Sequence, residues 1–145
     1  IMTSLSTMIA MMPLVIGNLK RLELIRSNPG FKNKLWEIVN SIQQGLKENG
    51  FNIGTTQSPV TPIILKGGVY ECTNLIRDLR SEYSIFCSGV IYPVVPKGVI
   101  MLRIIPTASH SLDDVKQTID TFKEVKKKLD KGIYQEMGEK GAVLS

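Results

Sequence analysis

The spacing of the apolar residues changes at Gly50, and this change limits the folds that the chain can adopt. Before Gly50, apolar residues recur about every 3.6 residues, which predicts helices over 14–27 and 32–49, with a break at 28–30. After Gly50, short apolar runs alternate between extended and helical patterns. Because both patterns occur in one chain, we expect a fold that is neither all-helical nor all-β.

The part of the chain after Gly50 predicts strands and helices in the order β-α-β-β-α. Pro59 and Pro62 exclude a helix in the first of these segments. Ser111 and Asp114 have the spacing of a capping box, which predicts the start of the last helix. The strands are expected over 60–66, 85–92 and 99–105, and the helices over 70–81 and from Ser111 onward. We therefore expect an α+β fold, a two-layer α/β sandwich in which a small, mostly antiparallel sheet carries helices on one face and follows two helices.

The composition is that of an ordinary globular domain. The chain has 145 residues, 43% of them hydrophobic and 21% charged, which fits one domain and excludes intrinsic disorder. Cys72 and Cys87 have no second soft ligand nearby, so they predict buried thiols of a cytoplasmic protein, not a zinc site. The longest near-apolar run, 8–17, has about half of the roughly 20 residues that span a bilayer. We expect no metal site and no membrane partner.

Much of the net charge of +5 comes from lysines in the last predicted helix, over 123–131. A basic helix can bind nucleic acid. Here Glu124 and Asp130 interleave with the lysines, and no aromatic stacking residues accompany them. The pattern favours a solvated helix face over a nucleic-acid partner.

The chain begins with Ile1 and soon enters the near-apolar run at 8–17. Met and Ile at this density usually pack against another apolar surface. The run either folds back on the core of this domain or contacts a domain or subunit outside the chain. The predicted organisation is an interdomain segment and helix at 1–30, a small domain at 31–131 and a flexible tail at 132–145.

Arg103 is the most informative candidate site residue. It is a single charge in an otherwise apolar predicted strand. A guanidinium in such a strand needs an anion, either a carboxylate of the chain itself or the carboxylate of a ligand. The single histidine, His110, has no nucleophile placed beside it by sequence, so we expect it to form a hydrogen bond near a helix start and predict no catalytic residue.

Five short segments follow one another along the chain. They are the Leu-Trp-Glu at 35–37, the Ser-Pro-containing strand at 57–63, the Pro-x-x-Pro-x-Gly loop at 92–98, the Leu-Arg strand at 101–104 and the Ala-x-His-Ser segment at 107–111. In this order they resemble the C-terminal domain of the α-oxoamine synthases, pyridoxal-phosphate (PLP) enzymes of aminotransferase fold type I. This family includes glycine C-acetyltransferase, 8-amino-7-oxononanoate synthase and serine palmitoyltransferase, and the resemblance covers about 5–130.

The resemblance implies an acyltransferase that condenses an amino acid with an acyl-CoA thioester to give an amino ketone. The types most similar are 8-amino-7-oxononanoate synthase and glycine C-acetyltransferase. The resemblance also implies that Arg103 binds the carboxylate of the amino acid. It further implies that Thr7, with Thr3 as the alternative, reaches the cofactor phosphate of the partner subunit in a homodimer. A second arginine that some members carry before the proline loop is replaced here by Ile91.

The family's Schiff-base lysine segment does not occur in this chain. We therefore expect an N-terminal PLP-binding domain outside the chain, no PLP bound to the chain alone and no activity without that domain. The alternative that stays open is a self-sufficient α+β module that uses Arg103 to bind a small carboxylate.

Overall fold

The computed structural model describes residues 2–135, with side chains from residue 11 onward. The chain divides into two compact units, 1–34 and 35–145. Within the described residues, no helix is both long enough and apolar enough to cross a membrane.

The first unit consists of helix α1, Met2–Ser27, and the beginning of helix α2, Pro29–Glu48. Pro13 directly precedes the predicted helix over 14–27, the place of a helix-opening proline, but it lies inside α1, where its ring removes one backbone hydrogen bond without ending the helix. Pro29 takes that opening role in α2, because the first turn of a helix does not need its N–H. The described apolar side chains of α1 are exposed along the helix, from Met11 to Ile25.

The second unit contains a three-stranded antiparallel sheet with the strand order β1-β3-β2. The predicted order of strands and helices is confirmed, and the two-layer α+β class with it. The remaining elements are β1 (Thr61–Lys66), α3 (Val69–Ser81), β2 (Ser88–Val90), β3 (Val99–Ile104) and α4 (Leu112–Asp130).

Strand β2 is much shorter than the expected 85–92. Before the strand, the Ile85 N–H donates to the Leu79 carbonyl at the end of α3, so this residue completes a helix terminus and not a sheet. After the strand, the Val94 N–H turns back to the Ile91 carbonyl. Only three residues between these two turns pair with β3.

One face of the sheet carries the core. Ile100, Leu102 and Ile104 alternate with more exposed residues along β3 and are buried beneath the helices. Each such side chain contributes about 1.5–3 kcal/mol on burial. Phe51 and Phe122 add an edge-to-face aromatic pair with centroids 6.3 Å apart.

Helix α3 lies very close to strand β2, and Gly89 makes this approach possible. A Cβ at Gly89 would lie 2.5 Å from Ile76 Cδ1 and 2.7 Å from Cys72 Sγ. Cys72 and Cys87 are both buried free thiols, which confirms the prediction of core cysteines. Burial raises the pKa of Cys87 to about 11, so this thiol stays protonated and unreactive at neutral pH.

The start of α4 is fixed by the predicted capping box. The Asp114 N–H donates to Ser111 Oγ at 3.2 Å, and the Ser111 N–H donates to Asp114 Oδ2 at 2.8 Å. These hydrogen bonds, the one from the Ser111 backbone first, hold the pKa of Asp114 below its ordinary value. The carboxylate therefore stays ionised at the positive end of the helix dipole.

Past the end of α4, the chain remains attached to α3. Tyr134 is buried, its hydroxyl donates to Asp78 Oδ2, and its carbonyl accepts from Asn74 Nδ2 at 2.9 Å. Lys128 Nζ lies 2.8 Å from the same Asp78 oxygen. Ordered packing thus continues beyond residue 132, where the tail was expected to begin, while 136–145 lie outside the described residues.

Candidate functional site

Arg103 lies on the face of the sheet that is opposite the core. It is exposed, whereas its neighbours Leu102 and Ile104 in β3 are buried. Since β3 is the central strand, Arg103 has a cross-strand neighbour on each side, Pro62 in β1 and Ser88 in β2. The guanidinium is therefore presented from the middle of a rigid sheet and not from a loop.

The guanidinium of Arg103 has one side-chain partner in the described part of the chain. Its Nε donates to Ser88 Oγ at 3.1 Å. The ion pairs among the described residues do not include Arg103, so the expected alternative of an internal ion pair is not found there. The fork of Arg103 can bind a carboxylate through two parallel hydrogen bonds, which a lysine cannot do.

The surroundings of Arg103 on this face are mostly apolar and half-buried. They include Ile64 on β1, Val90 on β2 and Met101 on β3. Water is less able to screen a charge beside apolar groups, and an ion pair formed there is stronger than in open solvent. We name this surface, with Pro62, Ser88 and Arg103 included, the open sheet face.

A separate cavity of about 410 Å³ lies between the loop at 83–86, the end of β3 and the start of α4. His110 lines this cavity, and Arg103 does not. His110 Nδ1 accepts a hydrogen bond from the Thr107 N–H at 3.0 Å, next to the helix start, as expected. The structure therefore does not place the two candidate residues in one pocket.

Thr7 lies in helix α1, and its side chain is outside the described side chains. Its expected role at a cofactor phosphate thus stays a prediction.

Several lysines of α4 make contacts within the domain. Lys123 pairs with Asp120 at 3.0 Å, Lys126 donates to the Gly50 carbonyl at 3.2 Å, and Lys128 pairs with Asp78. The ammonium of Lys126 also lies 4.8 Å from the centre of the Phe51 ring. These contacts are those of a domain surface helix.

The lysine of the Asp78–Tyr134 cluster is held in its charged form, which disfavours a Schiff base with PLP at that residue. A lysine that forms a Schiff base must lose its proton, which a lowered pKa favours. Lys128, the lysine in the Asp78–Tyr134 cluster, has its pKa raised, chiefly by its hydrogen bond to Asp78. Also within the described residues, no group of three or more His, Cys, Asp or Glu is placed to hold a metal ion.

Comparison with known proteins agrees with the motifs. No family model matches the chain. The chain is 51% identical over 121 residues to a cysteate-C-fatty acyltransferase of Capnocytophaga ochracea, which covers 83% of this chain and 29% of that protein. It is 35% identical over 116 residues to an 8-amino-7-oxononanoate synthase of Exiguobacterium sibiricum, which covers 80% of this chain and 29% of that protein.

The fold has a solved counterpart as well. It matches Sphingomonas wittichii serine palmitoyltransferase with a TM-score of 0.60 and 26% identity, over 71% of this chain and 25% of that chain. The chain thus spans less than a third of the length of the relatives it matches.

By fold and by sequence, the chain is similar to the C-terminal fragment of fold type I acyltransferases that depend on PLP. Within that class, the chain matches a fragment of the α-oxoamine synthase family, which the five sequence segments had indicated.

Ser88 is the site residue that sequence reasoning missed. A serine in a short apolar segment carries no signal of its own. Its place beside Arg103 depends on the register between β2 and β3, which pairs Ser88 with Arg103. Only strand pairing could have revealed this neighbour.

Proposed function

We propose that this chain is the small domain of a PLP-dependent acyltransferase that joins an amino acid to an acyl thioester, giving an amino ketone. In this proposal, Arg103 binds the carboxylate of the amino acid. The observation that carries the proposal is an exposed guanidinium, held at one nitrogen by Ser88, on a sheet whose fold and sequence match this family.

The sequence identity of 51% to a cysteate-C-fatty acyltransferase supports a more specific proposal for the two substrates. We propose cysteate as the amino acid and a long fatty acyl group as the donor, in preference to the substrates of the 8-amino-7-oxononanoate synthase and glycine C-acetyltransferase types. The carboxylate that cysteate shares with every other amino acid is the group that Arg103 binds. In this proposal, Arg103 on the sheet binds the group that all amino acids share, and other residues recognise the sulfonate of cysteate.

The cofactor belongs, in this proposal, to the large domain that the longer relatives carry. When bound there, PLP acts as the electron sink for the carbanion of the amino acid. The residues of this chain bind and orient the substrate carboxylate, and the apolar residues of the open sheet face keep water from it. We further propose that the complete protein is a cytoplasmic homodimer, with Thr7 directed at the cofactor phosphate of the partner subunit.

The Arg103→Ala variant of the complete enzyme tests the clamp. Loss of a bidentate, charge-assisted contact costs about 1.5–3 kcal/mol, so we expect the KM for the amino acid to rise roughly 10- to 100-fold. The KM for the acyl thioester is expected to stay within about twofold.

The matched control is Arg103→Lys, which keeps the positive charge and loses the fork. It is expected to give a KM between those of the parent and the alanine variant. An unchanged KM for the amino acid in Arg103→Ala would reject the clamp.

A further inference from the structure

Three side chains lie side by side across the middle of the open sheet face. The register places Pro62, Arg103 and Ser88 in one row on three adjacent strands. Directly opposed side chains in an antiparallel pair have their Cβ atoms about 4.5–5.5 Å apart. Of the two neighbours of Arg103, proline offers no side-chain hydrogen-bonding group, so Ser88 alone can fix the guanidinium from within the row.

The Ser88 contact is made to a particular nitrogen of Arg103. The bond of 3.1 Å joins Ser88 Oγ to Nε and not to a terminal NH₂ group. A guanidinium has two edges that suit a carboxylate: the side edge, Nε with one NH₂ group, and the end edge, formed by both NH₂ groups. With Nε occupied, only the end edge keeps both of its donors for a ligand.

This contact also limits the motion of a long side chain. An arginine on a surface loses rotamer entropy when a ligand fixes it. Part of that cost is already met when Ser88 holds Nε, provided that the serine itself is held. Ser88 lies in a strand paired to β3 and is half-buried, which meets this condition.

We propose that Ser88 is a positioning residue that turns the end edge of Arg103 toward the carboxylate of the amino acid. The inference rests on the proposed function of Arg103. Ser88 acts through the arginine and makes no contact with the substrate.

The test is a double-mutant cycle in the complete enzyme, with steady-state kinetics for both substrates. Ser88→Ala is expected to raise the KM for the amino acid about three- to tenfold, the usual effect of losing one ordinary hydrogen bond, because the arginine itself remains. The kcat and the KM for the acyl thioester should change less than about twofold. Ser88→Thr keeps the hydroxyl on a strand-favouring residue and should restore the parent KM.

The decisive variant is the double mutant Ser88→Ala/Arg103→Ala. If Ser88 acts only through Arg103, adding Ser88→Ala to the Arg103→Ala variant leaves the KM unchanged. Ser81→Ala serves as the matched control, because it removes an exposed serine hydroxyl at the end of α3, outside the open sheet face.

The possible outcomes separate the two proposals. A KM that does not respond to Arg103→Ala overturns the clamp itself. A KM that responds to Arg103→Ala, but not to Ser88→Ala, overturns the role of Ser88 alone. An effect of Ser88→Ala that persists in the Arg103→Ala background also overturns the role of Ser88, because the serine then acts by another route. The same holds for an effect that Ser81→Ala reproduces.

Discussion

At the scale of single residues, Asp78 connects three elements of the domain. Its carboxylate accepts hydrogen bonds from Lys128 and from Tyr134, so it joins α3 to the end of α4 and to the segment beyond it. Burial alone would raise the pKa of Asp78, but these two hydrogen bonds outweigh it and hold the pKa below its ordinary value. The ionised form is thus the one that stabilises the fold.

The Tyr134→Phe variant tests this linkage through stability. It keeps the buried ring and removes the hydroxyl, so we expect a loss of about 1–2 kcal/mol of unfolding free energy near pH 7. Because the pKa of Asp78 is lowered on folding, its contribution is present above the unfolded pKa of about 3.9 and is lost as the pH falls through the folded pKa. Urea unfolding measures the free energy of unfolding of the parent and of Tyr134→Phe at both pH values. The two proteins should therefore differ less near pH 2 than near pH 7.

The exposed Tyr70 in α3 provides the control for this measurement. Tyr70→Phe should change the free energy of unfolding by less than about 0.5 kcal/mol at either pH. An equal loss for Tyr134→Phe at both pH values would show that Asp78 ionisation has no part in the contact.

The face of the strand on which each side chain of β3 lies can be read from the sequence of that strand alone. The alternation along 99–105 puts Arg103 on the strand face opposite Ile100, Leu102 and Ile104, and this needs no knowledge of other strands. The roles of Ser88 and Asp78 could not be predicted, because each depends on a residue far along the chain. Ser88 lies opposite Arg103 on the neighbouring strand, and Asp78 accepts a hydrogen bond from Tyr134. Local pattern carries no information about such pairs.

At the scale of elements, the close approach of α3 to β2 can be tested by adding one methyl group at Gly89. Gly89→Ala would place a methyl group 2.7 Å from Cys72 Sγ, closer than side chains pack. We expect a loss of about 1–3 kcal/mol, the usual cost of an overpacked core. Thermal or urea unfolding of the chain measures it.

Gly30→Ala is the comparison, since nothing lies within 4 Å of a Cβ at that helical position. There, alanine should be neutral or stabilising by up to about 1 kcal/mol, because it favours the helix. If Gly89→Ala is as well tolerated as Gly30→Ala, then α3 does not pack against β2 as described.

The limits of β2 show why element boundaries resist prediction. The apolar run at 85–92 reads as one strand, but its two ends are used by other hydrogen bonds, at the end of α3 and in the proline loop. Such competition is decided by tertiary contacts and not by propensity. By contrast, the start of α4 follows from a local capping box and agrees with the prediction.

At the scale of the whole molecule, the proposal separates binding of the substrate carboxylate from binding of the cofactor. The chain alone, incubated with PLP and then with borohydride, is expected to acquire no stoichiometric label on any one lysine. The physical reason is that surface lysines are protonated at neutral pH and form Schiff bases only weakly and without selectivity.

Peptide mapping by mass spectrometry distinguishes scattered, substoichiometric labelling from a single site. Lys128→Arg is the matched variant for labelling of Lys128, since it keeps the positive charge beside Asp78 and removes the amine that could form a Schiff base. Labelling of one lysine at one equivalent would contradict the separation of roles.

The pairing of β1 has a consequence for how the domain meets other chains. The Ile64 N–H points away from β3 and donates to the Asn52 carbonyl at 2.8 Å. By the alternation of the strand, the backbone nitrogen of Pro62 points the same way and carries no hydrogen. Of the three residues of β1 whose backbone faces this way, only Lys66 keeps an N–H that another strand could use, and its side chain is charged. A foreign strand therefore finds almost no donors there, and the sheet resists growth into aggregates from that side.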